Sequence, residues 1–272
     1  MGAALHHVEF GDGTPVLAIH GWTPDHRMMT GCLEPVFERR SGYRRLYPDL
    51  PAMGRTPADG VSSSDDIMAA LLDFVDAEVG TAPFLLIGDS YGGYLARGVV
   101  AQRPDQVLGL TLICPVGTEL DNAERVVPEH VVLHAEPGIL DTLTPDEAED
   151  FAGIAVVQTA ETLRQYAADI MPGLATADLD AMSRIRASWA LSTAPESGPV
   201  YERPALIVCG RQDSVTGYAE QFTFLPHYPR ASYVVLDRAG HNLQIEQAPL
   251  FQALVGDWLD RVAEVGAARF SA

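Results

Sequence analysis

Phe84-Leu85-Leu86-Ile87-Gly88-Asp89-Ser90-Tyr91-Gly92-Gly93 joins an apolar run of strand length to a G-x-S-x-G turn. A strand that turns this sharply into a helix lifts the serine hydroxyl above the edge of a sheet. Side chains two positions to either side would strike the neighbouring strand and helix, so the turn requires glycine where Gly88 and Gly92 stand. The stretch predicts an α/β fold and marks Ser90 as a candidate nucleophile.

Working outward, further runs of strand length recur at Val16 to His20, Arg44 to Tyr47, Val107 to Cys114, Ala205 to Gly210 and Tyr233 to Leu236. Helical patterns separate them, and alternation of this kind predicts a parallel sheet covered by helices. Ile67, Leu71, Phe74 and Val75 fall at helical spacing after the capping run Ser62-Ser63-Ser64-Asp65, which predicts a helix over Ser64 to Val79. Leu250, Leu254, Trp258 and Leu259 predict a C-terminal helix beginning near Pro249. The alternation stops between Gly117 and Pro199, where helical spacing continues without a convincing strand. Residues 1–116 and 200–272 therefore read as one core, and 117–199 as an inserted helical cap. Asp121-Asn122 and Pro195-Glu196-Ser197-Gly198-Pro199 are its expected hinges.

Charge narrows the partners. Eighteen basic and 37 acidic residues give a net charge of -19, which disfavours nucleic acid and anionic membrane surfaces. Between Glu119 and Glu196 alone, 15 acidic residues stand against four arginines, the pattern of solvated helix faces. Every basic residue is an arginine, so a Schiff-base lysine, a P-loop lysine and a Ser-Lys dyad are all excluded. No metal-ligand spacing is evident, and Cys32, Cys114 and Cys209, odd in number and far apart, read as core packing. We expect no cofactor. Without an apolar run of membrane-spanning length, or a basic and then apolar leader in Met1 to His7, the chain reads as soluble and cytoplasmic, with a small molecule as its partner.

A serine hydroxyl needs a base within hydrogen-bond reach and a carboxylate that fixes the tautomer of that base. His241 follows the Tyr233 run by a short loop, and Asp213 follows the Ala205 run. Both then sit where loops leave the ends of strands. Asp237 is the rival acid, four residues before His241 and reaching it only through a very tight turn. Backbone N–H groups suit a developing oxyanion because they are already oriented. Tyr91, just after the serine, and Trp22, after His20-Gly21, are the candidate donors.

Val16 to Trp22, Asp49-Leu50-Pro51-Ala52-Met53-Gly54-Arg55-Thr56, Gly88 to Gly93, Gly210-Arg211-Gln212-Asp213 and Gly240-His241 together resemble the successive motifs of the α/β-hydrolase superfamily. The resemblance covers nearly all of the chain except 117–199. It implies an eight-stranded, mostly parallel sheet, a cap inserted after the sixth strand, a triad of Ser90, Asp213 and His241, and an oxyanion hole of Trp22 and Tyr91. Relatives that dehalogenate carry aspartate where Ser90 stands, and proline iminopeptidases carry His-Gly-Gly-Pro where His20-Gly21-Trp22-Thr23 stands. The leading expectation is a serine hydrolase of small, largely apolar carboxylic esters or lactones. Trp22, Tyr91 and Tyr94 are expected in its pocket, with Trp189, His130, His134 and Met171 as further candidates in the cap. Carbon–carbon cleavage of a diketone ring-fission product is the alternative, although such hydrolases commonly place asparagine where Asp89 stands. A cofactor-free oxygenase and a non-catalytic binding protein on the same fold complete the set.

Overall fold

The computed structural model describes residues 4–118, 120 and 123–269, with side chains to residue 265. The predicted hinge at Asp121-Asn122 lies outside the described residues. Seven strands form the main sheet: β1 His7–Phe10, β2 Thr14–Ile19, β3 Tyr43–Pro48, β4 Phe84–Asp89, β5 Val107–Ile113, β8 Ala205–Gly210 and β9 Ala231–Leu236. Their order is β1-β3-β2-β4-β5-β8-β9, with β1 antiparallel to β3 and every other pairing parallel.

Period-two alternation places the core on both faces. In β4, Phe84 and Leu86 pack with α2 (Ser64–Glu78) and α3 (Ser90–Gln102), whereas Leu85 and Ile87 pack with α1 (His26–Phe37) and α9 (Ala248–Arg269). All six β4 residues are buried, which is why this strand reads as one unbroken apolar run. Ser63 caps α2 by accepting the N–H of Asp66, and Asp65 and Asp66 in the first turn face the positive end of the helix dipole. At the C-terminus, Trp258 is fully buried and its indole N–H reaches the Pro204 carbonyl at 3.1 Å, fastening α9 to the start of β8.

Between β5 and β8 lie β6 (His134–Ala135), α4 (Pro145–Ile154), β7 (Val157–Gln158), α5 (Ala160–Asp169), α6 (Met171–Leu174) and α7 (Leu179–Arg186). The insertion thus follows the fifth strand of a seven-stranded sheet, not the sixth of eight. It also holds one short parallel pairing, β6 with β7, whose two-residue strands are too brief to show a period in sequence. Its return, Pro195–Ser197, is a 3-10 turn tied down by Glu196, which receives Arg97 Nε and Nη2 at 2.6 Å each. After Asn242, the short helix α8 (Leu243–Glu246) leads into α9. Among the described residues no helix is long and apolar enough to cross a membrane.

Candidate active site

Strand order reverses around β2, so the loops leaving β2 and β4 flank a crevice at the carboxyl edge of the sheet. Ser90 follows β4 as the first residue of α3, Trp22 follows β2, Asp213 follows β8 and His241 follows β9. The five candidate site residues Ser90, Asp213, His241, Trp22 and Tyr91 thereby reach one edge.

Ser90 has a φ of 51°, the left-handed region that costs a non-glycine residue about 1–3 kcal/mol. The glycines around it are required by contact. A Cβ on Gly88 would lie 2.3 Å from the Gly92 carbonyl oxygen, and one on Gly92 would lie 2.4 Å from the carbonyl oxygens of both Ile19 and His20. Gly92 therefore lets helix α3 settle directly against the end of β2.

The Ser90 hydroxyl lies 3.0 Å from His241 Nε2, and His241 Nδ1 lies 3.0 Å from Asp213 Oδ2. With Nδ1–H donating to the carboxylate, Nε2 is left as the acceptor for the serine proton. Asp213 also receives the N–H groups of Val215 at 2.8 Å and Thr216 at 3.0 Å on Oδ1, and the Thr216 hydroxyl at 2.7 Å on Oδ2. Burial pushes this carboxyl up, but His241 and the Thr216 donors outweigh it and hold Asp213 below its ordinary value. For His241, burial pulls down while the facing Asp213 pulls up, and the imidazole settles above 6.5. Asp237 is elsewhere: its carboxylate accepts Gln212 Nε2 at 2.8 Å on the exposed surface.

Gly21 brings the β2 loop against the nucleophile, since a Cβ there would fall 3.2 Å from Ser90 Cβ. His20 fixes that loop, donating Nδ1–H to the Gly21 carbonyl at 2.8 Å and accepting the Leu50 N–H on Nε2 at 2.9 Å. Trp22 comes next, and Tyr91 lies in the first turn of α3, where N–H groups have no intrahelical acceptor. Asp49, which opens another of the motifs, is a structural hub. It receives the His26 N–H and ring at 2.9 and 2.8 Å, the Arg55 N–H at 3.0 Å and the His6 ring at 2.8 Å.

Ser90 and His241 open on a small cavity of about 90 Å³. Apart from the site loops, Met28, Ile154, Tyr166, Ile170 and Leu174 line it. Trp22 and the site-edge residues were legible in sequence; the apolar wall from the insertion was not. The other aromatic candidates turn away: Trp189 stacks on Tyr91 at 4.3 Å, the Tyr91 hydroxyl meets Ser64 at 2.8 Å, and the Tyr94 hydroxyl accepts the Leu191 N–H at 2.8 Å. In the insertion, His134 is exposed, His130 bonds the Ala152 carbonyl and Met171 packs within the local apolar cluster. Thr216 and Asp89 complete the surroundings. Asp89 is fully buried with both carboxylate oxygens unpartnered, and burial pushes its carboxyl up to about 7.

This assembly falls within residues 14–248, the span over which the chain matches the model of the alpha/beta hydrolase fold, and the chain belongs to that family. It is 27% identical over 268 residues to a 2-hydroxymuconate semialdehyde hydrolase of Pseudomonas sp. (strain CF600), covering 96% of this chain and 91% of that protein. It is 25% identical to a pimeloyl-[acyl-carrier protein] methyl ester esterase of Shewanella woodyi, covering 96% and 100% of the two. A solved alpha/beta superfamily hydrolase from Oenococcus oeni PSU-1 superposes with a TM-score of 0.87 at 29% identity, covering 94% of this chain and 96% of that one. Ester and carbon–carbon hydrolases thus both stand among the relatives.

Proposed function

We propose that the protein hydrolyses carboxylic esters or lactones with a small, largely apolar acyl group, using Ser90, His241 and Asp213. The observation that carries this reading is the unbroken relay from Asp213 through His241 to Ser90, at 3.0 Å in each step, facing a largely apolar cavity. Ser90 Oγ attacks the carbonyl carbon while His241 Nε2 takes its proton, and the carbonyl electron pair moves onto oxygen. The N–H groups of Trp22 and Tyr91 receive that oxyanion. Collapse of the tetrahedral intermediate breaks the C–O bond, and His241 returns the proton to the departing alcohol. Water, activated by the same imidazole, then releases the acid from the acyl-enzyme. Residues 117–199 act as the cap, supplying Ile154, Tyr166, Ile170 and Leu174 as the acyl wall.

Carbon–carbon hydrolysis is the second reading, favoured by the likeness to the 2-hydroxymuconate semialdehyde hydrolase. The cavity supports it less, because no arginine is among the residues lining it and the chain has no lysine to meet a carboxylate-bearing diketone. Turnover of p-nitrophenyl esters of increasing chain length, lactones and a vinylogous diketone by the wild type and Ser90→Ala separates the two. Ester or lactone turnover that needs Ser90 and exceeds diketone turnover is the expected result. A diketone preferred over every ester would replace the first reading with the second.

A further inference from the structure

Glu246 ends α8, five residues beyond His241, and its carboxylate is shared between two segments far apart in sequence. Oε1 receives the N–H groups of Val156 at 2.6 Å and Val157 at 3.2 Å, while Oε2 receives the N–H of Gly240 at 2.5 Å. Gly240 directly precedes His241, and Val156 follows Ile154, which lines the cavity. We infer that Glu246 is a positioning residue: one carboxylate sets both the backbone that carries the base and the inserted segment that carries the acyl wall. The inference rests on the proposed role of His241.

Three further observations support it. A Cβ on Gly240 would lie 2.8 Å from Val156 Cγ2 and 3.3 Å from the Ile154 carbonyl oxygen, so the two backbones touch and displacement of one moves the other. Ile245, beside Glu246, is buried in the apolar cluster of Met28, Phe151, Tyr166 and Ile170, which anchors α8 into the insertion. The carboxylate is also mostly withdrawn from solvent, and burial together with the nearby Asp213 raises its proton affinity against the pull of its three N–H donors. An ordinary helix-end glutamate would be solvated and would hold nothing in place.

Glu246→Gln is the isosteric test. The amide oxygen satisfies one segment, and the NH2 group opposes the N–H of the other. Glu246→Ala removes both ends; if it does not fold, Glu246→Gln carries the test alone. Amide hydrogen exchange, read on peptides covering Val156-Val157 and Gly240-His241, reports the staple without reference to catalysis. In Glu246→Ala both peptides, and in Glu246→Gln the peptide facing the NH2 group, should exchange about tenfold faster or more while β4 and β5 keep their protection. Steady-state kinetics, normalised to sites titrated by a phosphonate, should show kcat reduced about tenfold with KM raised for the longer acyl esters. Acceleration at only one peptide in Glu246→Ala, unchanged exchange at both in Glu246→Gln, or kcat and KM within about twofold of wild type per titrated site, would overturn the inference. If the wild type shows no Ser90-dependent turnover or titration, the proposed function fails by itself. The exchange measurement then still decides whether Glu246 couples the two segments.

Discussion

Asp213→Asn removes one charge and almost no volume, and the hydrogen bonds around position 213 determine its effect. Oδ1 faces two fixed backbone donors, Val215 and Thr216, so an asparagine must keep its carbonyl oxygen there. Its NH2 group then takes the place of Oδ2 and points at His241 Nδ1, 3.0 Å away. Two donors cannot share that contact. The imidazole adopts the opposite tautomer, with the proton on Nε2 facing Ser90, and can no longer accept the serine proton. Loss of the base in this way lowers kcat by roughly 10⁴-fold, the magnitude known for the corresponding change in a serine protease, while substrate contacts and KM are kept. The pH profile should move as well. Asp213 raises His241 against the downward pull of burial, so the wild-type acid limb of kcat/KM should lie above that of an ordinary imidazole. Without the carboxylate, burial dominates and the residual activity of Asp213→Asn should extend to lower pH. Stopped-flow ester hydrolysis between pH 5 and about 9 measures both effects. A variant within about tenfold of wild-type kcat, or with an unmoved acid limb, would refute the relay.

Asp89 supplies a prediction of the opposite sign for stability. Its folded carboxyl titrates at about 7 against an ordinary 3.8, so the native state holds a proton that the unfolded chain has lost, and stability falls as pH rises from 3.8 towards 7. Asp89→Asn should therefore be more stable to urea than wild type at pH 8, by a few kcal/mol, with the gain fading towards pH 4. A stability difference independent of pH would contradict the unpartnered carboxyl. Gly92→Ala should abolish ester turnover and lower stability by about 1–3 kcal/mol, because its Cβ meets carbonyl oxygens of β2 that have no room to retreat. Circular dichroism melts together with turnover would show a tolerated alanine if the elbow were looser than described.

Physical causes separate what was legible in the sequence from what was not. The buried central strands read plainly because burial on both faces makes them continuous apolar runs, and the elbow read plainly because its glycines answer local collisions. Ser90, Asp213 and His241 were legible as a set because each follows a strand that was itself visible, and the structure brings all three together. β1 escaped notice: His7–Phe10 is a half-exposed antiparallel edge strand with too few apolar residues to show a period. The wall formed by Ile154, Tyr166, Ile170 and Leu174 was hidden for another reason. The face that α5 turns inward is set by packing against α1 and α8, and no local pattern records that choice. Glu246 was missed likewise, since a glutamate near a helix end reads as a solvated charge until Val156 and Gly240 are seen on either side of it. Thr216 left a faint signal, lying three residues after Asp213, the spacing at which an aspartate side chain receives the backbone N–H of a following turn.

The most direct measurement of the central claim is covalent. Incubation with a fluorophosphonate followed by tryptic mass spectrometry should place one stoichiometric adduct on Ser90, at a rate that collapses in His241→Ala and with no adduct in Ser90→Ala. An adduct elsewhere, or labelling of Ser90→Ala at the wild-type rate, would contradict the assignment of Ser90 as the nucleophile.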